Sequence, residues 1–198
     1  MRREGGGGDG SALLASRLIH DGRIVHLSID RVRFPDGSEG ELEMIRHSGA
    51  SAVLPLLGAR DESDPEVLLI RQYRYAGGGY MLEVPAGRPD APGEDWELCA
   101  RRELKEETGF LAGRMTSLGG IHTTPGFTDE YIHLFLAEEL REGRTSFDHD
   151  EFIEQVRMPL SRALLAVREG EITDGKTVCT LLYAATFLLR PTPDARRP

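Results

Sequence analysis

Residues 102–110 read RELKEETGF, and this stretch says more about the fold than any other part of the chain. It places Glu103, Glu106 and Glu107 within five positions of one predicted helix. Side chains three and four residues apart are neighbours on a helix, so the three carboxylates project from adjoining faces of one turn. Like charges at this spacing repel by roughly 0.2–0.5 kcal/mol per exposed pair. Their stability therefore requires either neighbouring Arg and Lys side chains or a hard divalent cation such as Mg²⁺.

The residues that flank this stretch favour a metal site over a solvated helix face. A solvated face is the commoner explanation for a run rich in Glu and Arg. Here, however, residues 85–87 read Pro-Ala-Gly ahead of the predicted helix, and Thr108 and Gly109 follow it. A glycine at that position is typical of a helix end. The loop–helix–loop pattern indicates a helix that presents its carboxylates to a cation.

The pattern of residues 87–110 closely resembles the Nudix box, Gly-x5-Glu-x7-Arg-Glu-apolar-x-Glu-Glu-x-Gly-apolar. From Glu94 to Phe110 the match is complete. Ahead of Glu94 the chain departs from the box, because six residues instead of five separate it from Gly87. One extra residue in a loop rich in Pro and Gly is usually tolerated. The resemblance implies a Nudix-type α/β/α sandwich around a mixed β-sheet, and Mg²⁺ as cofactor with Mn²⁺ as the alternative.

Four segments outside the box resemble the ADP-ribose pyrophosphatase branch of the family. They are RHSGASAVLPLL (46–57), IRQYRYAGGGYMLEVPAG (70–87), TTPGFTDEYIHLFLAEEL (123–140) and GEITDGKT (170–177). Pro125, fifteen residues beyond Phe110, also fits this branch. The resemblance implies hydrolysis of the pyrophosphate bond of ADP-ribose or a related nucleoside diphosphate sugar, giving AMP (or another NMP) and a sugar phosphate.

Carried over onto this sequence, the resemblance implies a set of metal-binding residues. Glu103 and Glu107 are expected to bind the metal together with the backbone carbonyl of Ala86. Glu106 is expected to bind a further ion or to support the other two. The box also implies that Arg102 pairs with its glutamates and orients them.

The resemblance also implies a further acid in a late loop, here residues 147–151, which read FDHDE. Glu151 aligns best and is the expected metal ligand or activator of water. His149 and Asp150 are its rivals, because the lengths of such loops vary. The expected catalytic residues are thus the three box glutamates and Glu151.

The resemblance also implies substrate-binding residues. Arg74 is the first candidate for a phosphate or base contact and Arg71 the second, although an arginine on a strand more often faces solvent. Glu83 is expected to contact the nucleotide or the metal site, its alternative being an outward polar residue in an alternating strand. Gly126 and Thr128 are expected to line the ribose-phosphate end of the pocket.

Composition restricts the remaining classes of function. At 198 residues and 39% hydrophobic, the chain suits one domain with a full core. The net charge of −9 argues against a general nucleic-acid binder. No apolar run approaches 18 residues and no signal peptide is evident, so we expect a cytoplasmic protein without a membrane partner. Cys99 and Cys179 lack the spacing of a disulfide framework or a zinc site.

Strand and helix patterns alternate along the chain and predict the α/β (α+β) class. The expected domains are a disordered Gly-rich tail at 1–14, an antiparallel strand region at 15–48, the Nudix domain at 49–190 and a disordered tail at 191–198. Later strands are predicted at 50–57, 66–70, 80–84, 115–122, 131–137 and 152–157, and helices at 160–169 and 174–189. In the branch that the chain resembles, the N-terminal strands extend or swap across a homodimer, which implies a homodimer here.

Two alternative functions stay open. One is a Nudix hydrolase of another nucleotide class, such as dNTPs or dinucleoside polyphosphates, which Pro125 and the RQYR and PGFTDE segments disfavour. The other is a non-catalytic sensor of an ADP-ribose-type ligand. The intact box glutamates disfavour the sensor.

Overall fold

Ten strands and three helices are found in the part of the chain that the computed structural model describes, residues 10–143 and 153–189. These residues divide into two compact units. The first comprises the described residues up to Gly49 together with His122–Tyr131. The second comprises Ala50–Ile121 and the described residues from Ile132 onward. Residues 1–9 and 191–198, which fall in the two predicted tails, lie outside the described part, as do residues 144–152 and 190.

The first unit contains an antiparallel sheet of three strands, as the N-terminal pattern predicts. Its strands are β1 (Ala12–Asp21), β2 (His26–Arg33) and β3 (Glu39–Arg46), in the order β1-β2-β3. The first Asp-Gly pair begins at Asp21, the last residue of β1, and the second lies in the turn between β2 and β3, where Gly37 has a left-handed φ of 85°. Strand β1 begins at Ala12, within the stretch predicted as tail, and both of its faces are largely exposed.

The second unit contains two sheets and three helices. Its strands are β4 (Ala50–Pro55), β5 (Glu66–Arg74), β6 (Gly79–Glu83), β7 (Ala86–Gly87), β8 (Phe110–His122), β9 (Tyr131–Glu142) and β10 (Ile153–Pro159). The last residue of β8 and the first residue of β9 belong to the first unit. Its helices are α1 (Trp96–Thr108), α2 (Leu160–Glu169) and α3 (Gly175–Tyr183). One sheet has the order β10-β5-β6 and is antiparallel, and the other has the order β7-β4-β9-β8, with β4 and β9 parallel.

Strand β4 and the central residues of β5 and β9 are buried on both faces, which explains their continuous apolar runs. On β4, Ala52 and Leu54 pack into the cluster that contains residues of α2 and α3. Val53, between them, packs into a separate cluster with Ala100 and Leu104 of α1. Because successive side chains of a strand point to opposite faces, α1 lies on one face of the sheets and α2 and α3 on the other. The expected α/β/α sandwich around a mixed sheet is confirmed.

Several elements are longer or shorter than their patterns predict. Strand β5 continues through residues 71–74, whose alternate side chains are exposed and so break the apolar run. Strand β8 begins at Phe110, directly after the glycine that ends α1. Helix α3 ends at Tyr183 and is followed by a π-helical turn at Ala184–Leu188, where the apolar spacing continues although the hydrogen bonding changes.

Candidate active site

Helix α1 is fixed at both ends and along its apolar face. The side chain of Asp95 accepts hydrogen bonds from the backbone N–H groups of Glu97 and Leu98, at 2.9 and 3.1 Å. Such an N-cap contributes about 1 kcal/mol. At the other end Gly109 adopts a left-handed φ of 75° and donates its N–H to the Lys105 carbonyl oxygen. Burial of the Leu104 side chain contributes a further ~1.5–3 kcal/mol of stability. These contacts fix the rotation of the helix about its own axis.

This rotation places two of the three carboxylates in the protein interior, against β7. Glu103 is 8% exposed and Glu107 only 2%, whereas the side chain of Glu106 is partly exposed. The backbone N–H of Ala86 donates to Glu107 Oε2 at 3.0 Å. Ala86 itself is held by pairing of β7 with β4. The structure thus brings together Glu103, Glu107 and the Ala86 backbone, which the sequence predicts as metal ligands.

Gly87 gives the Glu103 carboxylate its space. A Cβ atom at residue 87 would lie 2.0 Å from Glu103 Oε1 and 2.2 Å from its Cδ. Gly87 is not among the glycines with positive φ, whereas Gly109 is. The backbone conformation therefore accounts for Gly109, whereas Gly87 is needed because a side chain would displace Glu103.

Arg102 pairs with the box glutamates, as the resemblance implies. Its Nη1 lies 2.7 Å from Glu103 Oε1 and 3.1 Å from Glu106 Oε2. The same guanidinium contacts Asp90 at 3.1 Å and Glu94 at 3.4 Å, in the loop ahead of the helix. Although burial disfavours its charge, the hydrogen bonds that Arg102 donates to these carboxylates, Glu94 foremost, raise its pKa above the usual value. A neighbouring arginine thus offsets part of the repulsion between the carboxylates.

The donor chemistry around these carboxylates suits a hard divalent cation. Cys99, the nearest sulfur, donates its thiol to the Gly87 carbonyl oxygen at 3.6 Å. Burial raises the pKa of the Cys99 thiol to about 11, and sulfur is in any case a poor ligand for a hard cation. Carboxylate and carbonyl oxygens remain, which are the ligands of Mg²⁺ and Mn²⁺. Within the described residues, no three His, Cys, Asp or Glu groups already form a metal cluster. The predicted additional ligand Glu151, and its rivals His149 and Asp150, lie outside those residues.

Arg74 and Glu83, predicted as substrate-binding residues, form an ion pair beside this site. Arg74 Nε and Nη2 donate to the two carboxylate oxygens of Glu83, at 2.8 and 2.9 Å. Glu83 is 1% exposed, so it is not an outward-facing polar residue of β6. Hydrogen bonding to Glu83, with a smaller contribution from the charge of Glu107, raises the pKa of Arg74. Arg74 therefore lies within electrostatic reach of a box glutamate.

Sequence reasoning missed the third member of this group, Lys176 at the start of α3. Its Nζ lies 2.5 Å from Glu83 Oε2 and 3.0 Å from Asp174 Oδ2. Burial opposes ionisation of Glu83, but hydrogen bonds from Arg74 and the charge of Lys176 outweigh it and lower the pKa of Glu83. The segment GEITDGKT resembles the family, but its spacing along the chain does not indicate contact with Glu83, 93 residues earlier.

The remaining predicted residues are not part of this group. Arg71 is three positions from Arg74 on β5 and so faces the opposite side of the sheet. Its guanidinium lies 4.2 Å from the ring centroid of Tyr80, and Nη1 is 3.3 Å from Glu154 Oε2. Gly126 and Thr128 belong to the first unit.

No helix among the described residues has the length and apolar character needed to cross a membrane.

Comparison with known proteins gives consistent matches. The model of the NUDIX domain matches residues 46–181. An ADP-ribose pyrophosphatase of Bacillus subtilis is 37% identical over 172 residues, covering 86% of this chain and 90% of the relative. A GDP-mannose pyrophosphatase of Salmonella paratyphi B is 38% identical over 159 residues, covering 73% and 81%. The crystal structure of an ADP compounds hydrolase superposes with a TM-score of 0.74 at 25% identity, covering 88% of this chain and 91% of that one. The family model covers more than half of the chain, and the chain belongs to the Nudix family.

Proposed function

We propose that this protein hydrolyses the pyrophosphate bond of ADP-ribose or a related nucleoside diphosphate sugar, with Mg²⁺ as cofactor and Mn²⁺ as the alternative. The products are AMP, or the corresponding NMP, and a sugar phosphate. The observation that carries the proposal is the burial of Glu103 and Glu107 against Ala86, beside the Arg74–Glu83 ion pair. Relatives named for ADP-ribose and GDP-mannose support this substrate class.

Each residue of the site has a distinct task in this reaction. Glu103, Glu107 and the Ala86 carbonyl would hold the cation, with Glu106 and Glu151 as further ligands. When bound, a divalent cation activates water and stabilises the charge that develops on the leaving phosphate. Arg102 keeps Glu103 in place through its 2.7 Å contact. A nearby carboxylate, for which Glu151 is the candidate, would accept the proton from water, a contribution typically worth about 10²–10⁴-fold in rate.

Arg74 would bind the diphosphate. Its bidentate pairing with Glu83 uses two of the five guanidinium N–H donors, and its side chain is 41% exposed. The remaining donors match the oxygens of a phosphate group. Arg71, Gly126 and Thr128 stay proposed substrate contacts on the family resemblance.

We further propose a cytoplasmic homodimer that uses residues 15–48 for dimerisation and 49–190 for catalysis. Large apolar side chains on β1 are exposed in the single chain, Leu18 at 60% and Ile19 at 43%, which supports a surface that a second copy covers. No nucleic-acid or membrane partner is proposed, in line with the net charge of −9.

The substrate proposal is tested by measuring turnover of a panel of nucleotides with Mg²⁺ and with Mn²⁺. The panel contains ADP-ribose, ADP-glucose, GDP-mannose, diadenosine polyphosphates and dNTPs, and the products are separated by anion-exchange chromatography. We expect the highest kcat/KM for a nucleoside diphosphate sugar, with AMP and ribose 5-phosphate formed from ADP-ribose. A preference for dNTPs would contradict the substrate class, and saturable binding of ADP-ribose without any product would favour the sensor.

A further inference from the structure

We infer that Lys176 is a positioning residue for substrate binding, which acts through Glu83 to hold Arg74 in the orientation that binds phosphate. This inference rests on the proposed role of Arg74 in binding the diphosphate. Lys176 itself would not touch the substrate. Its effect on turnover would therefore depend on the presence of Arg74.

The first observation is the number of charges around one buried carboxylate. Glu83 is 1% exposed and receives donors from both Arg74 and Lys176. A buried carboxylate is costly unless its oxygens are paired. Arg74 Nε donates to Oε1, while Arg74 Nη2 and Lys176 Nζ converge on Oε2. Lys176 thus supplies part of the positive charge that Glu83 requires, and Arg74 need not supply all of it.

The second observation is the difference in exposure between the two cations. The side chain of Lys176 is 12% exposed, and its ammonium group lies between the carboxylates of Glu83 and Asp174. The side chain of Arg74 is 41% exposed. The Arg74 side chain is therefore partly open to solvent, whereas the ammonium group of Lys176 is occupied by two carboxylates. This difference assigns binding to Arg74 and support to Lys176.

The third observation is that the first turn of α3 is anchored to the strand edge that carries Glu83. Asp174 caps the helix by accepting the Thr177 N–H at 3.0 Å. The Thr177 hydroxyl oxygen in turn accepts the N–H of Val84 at 2.8 Å and donates to Asp174 at 2.6 Å. Lys176 is thereby held at a fixed place relative to Glu83. Two residues beyond Val84, the N–H of Ala86 bonds to Glu107, so the same edge leads into the metal site.

Removal of Lys176 would change the geometry of Arg74 in a defined way. With one cation lost, Glu83 would retain Arg74 as its only charged partner among the contacts described above. The Arg74 guanidinium would then move closer to the Glu83 carboxylate, or the ion pair would loosen because Glu83 takes up a proton. Either change reduces the fraction of molecules in which the free donors of Arg74 are placed for phosphate.

A double-mutant cycle between Lys176→Met and Arg74→Ala tests this inference. The wild type is first assayed on the nucleotide panel, and the cycle uses the compound that it turns over fastest. We expect Lys176→Met to lower kcat/KM by about 10-fold or more, mainly through KM, with little change in Tm. In the Arg74→Ala background the same substitution should change kcat/KM by less than about threefold. Lys176→Arg, which keeps the charge, should recover part of the loss.

Arg60→Met is the matched control, because it removes one of two cations from another buried carboxylate, Glu138, which keeps Arg114 as its partner. Its effect should be equal in the presence and absence of Arg74. The inference is overturned if Lys176→Met acts equally in both backgrounds, or lowers Tm while leaving KM unchanged. If the Met variant does not fold, Lys176→Gln takes its place in the cycle. A wild type that only binds ADP-ribose would refute the proposed hydrolysis, and the same cycle in Kd, measured by calorimetry, would still test the inference.

Discussion

At the scale of single residues, the two glycines that flank α1 perform different tasks. Gly109 has the left-handed φ of 75° that ends the helix. Gly87 lies where the Glu103 carboxylate approaches the backbone so closely that a Cβ atom would be 2.0 Å from Oε1. The obstructing atoms belong to the far end of a flexible side chain. A methyl group at residue 87 would therefore move Glu103 rather than unfold the protein.

We predict that Gly87→Ala lowers the activity of the protein but leaves its stability nearly unchanged. The variant should fold, with a change in unfolding free energy of about 1 kcal/mol or less, because the Glu103 side chain can rotate away. Its metal-dependent turnover should fall by about 10–100-fold, the scale on which misplaced metal-site groups act. Metal titration of turnover and thermal melts measure the two effects.

Gly175→Ala is the control for this prediction. Its Cβ would meet no atom within 4 Å, and its φ is not positive. It should therefore leave both turnover and Tm near the wild-type values. Wild-type turnover of Gly87→Ala at low metal concentration would show that the position of Glu103 is not critical.

Some residues of the site can be identified from the sequence alone, and others cannot. Glu103, Glu106 and Glu107 can be identified because their neighbours lie within one helix and within one motif. Lys176 cannot, because its partner Glu83 is 93 positions away. Only the tertiary fold brings α3 to β6. The exposure of Glu83 was equally open, since strand alternation alone does not distinguish a buried ion pair from a solvated carboxylate.

At the scale of elements, the strongest predictions concern segments with a local signal. Helix α1 follows from the box pattern and from Gly109, and α2 is found at the predicted residues 160–169. Boundaries were wrong where the local signal is weak. Strand β8 is predicted to begin at residue 115, but it begins at Phe110. Gly113 and Arg114 have a low intrinsic preference for strands, and pairing within the sheet stabilises them there.

Strand β1 provides a prediction at this scale, because its apolar side chains are exposed in the single chain. If residues 15–48 mediate a homodimer, sedimentation equilibrium should give twice the mass of 21.9 kDa. Leu18→Glu should then shift the equilibrium toward monomer, since a buried charge at an interface is costly. Leu111→Glu on β8 alters a similarly exposed leucine and is the control. A wild-type monomer at micromolar concentration would contradict the proposed dimer.

At the scale of the whole molecule, the layers follow from the hydrophobic pattern. The continuous apolar runs of β4 and β5 require cover on both faces, and the helices on either side provide it. The division of the chain into two compact units, in contrast, does not follow from the hydrophobic pattern. His122–Tyr131 joins the N-terminal strands through the parallel bridge between Ile45 and Thr128. A contact between segments 83 residues apart has no local signal in the sequence.

The central claim is that carboxylates of α1 support metal-dependent hydrolysis of a nucleoside diphosphate sugar. Glu107→Gln tests it most directly, because the amide is isosteric and can still accept the Ala86 N–H. Glu97→Gln makes the same change at a half-exposed position of the same helix, at the cost of an ion pair with Arg101 worth about 0.5 kcal/mol or less.

The measurement is ADP-ribose turnover by the three proteins, after treatment with a chelator and again after Mg²⁺ is restored. We expect wild type and Glu97→Gln to lose activity with the chelator and to recover it with Mg²⁺. Glu107→Gln should remain at least about 100-fold below them at every metal concentration, while keeping a similar Tm. Full metal-dependent turnover by Glu107→Gln would contradict the account.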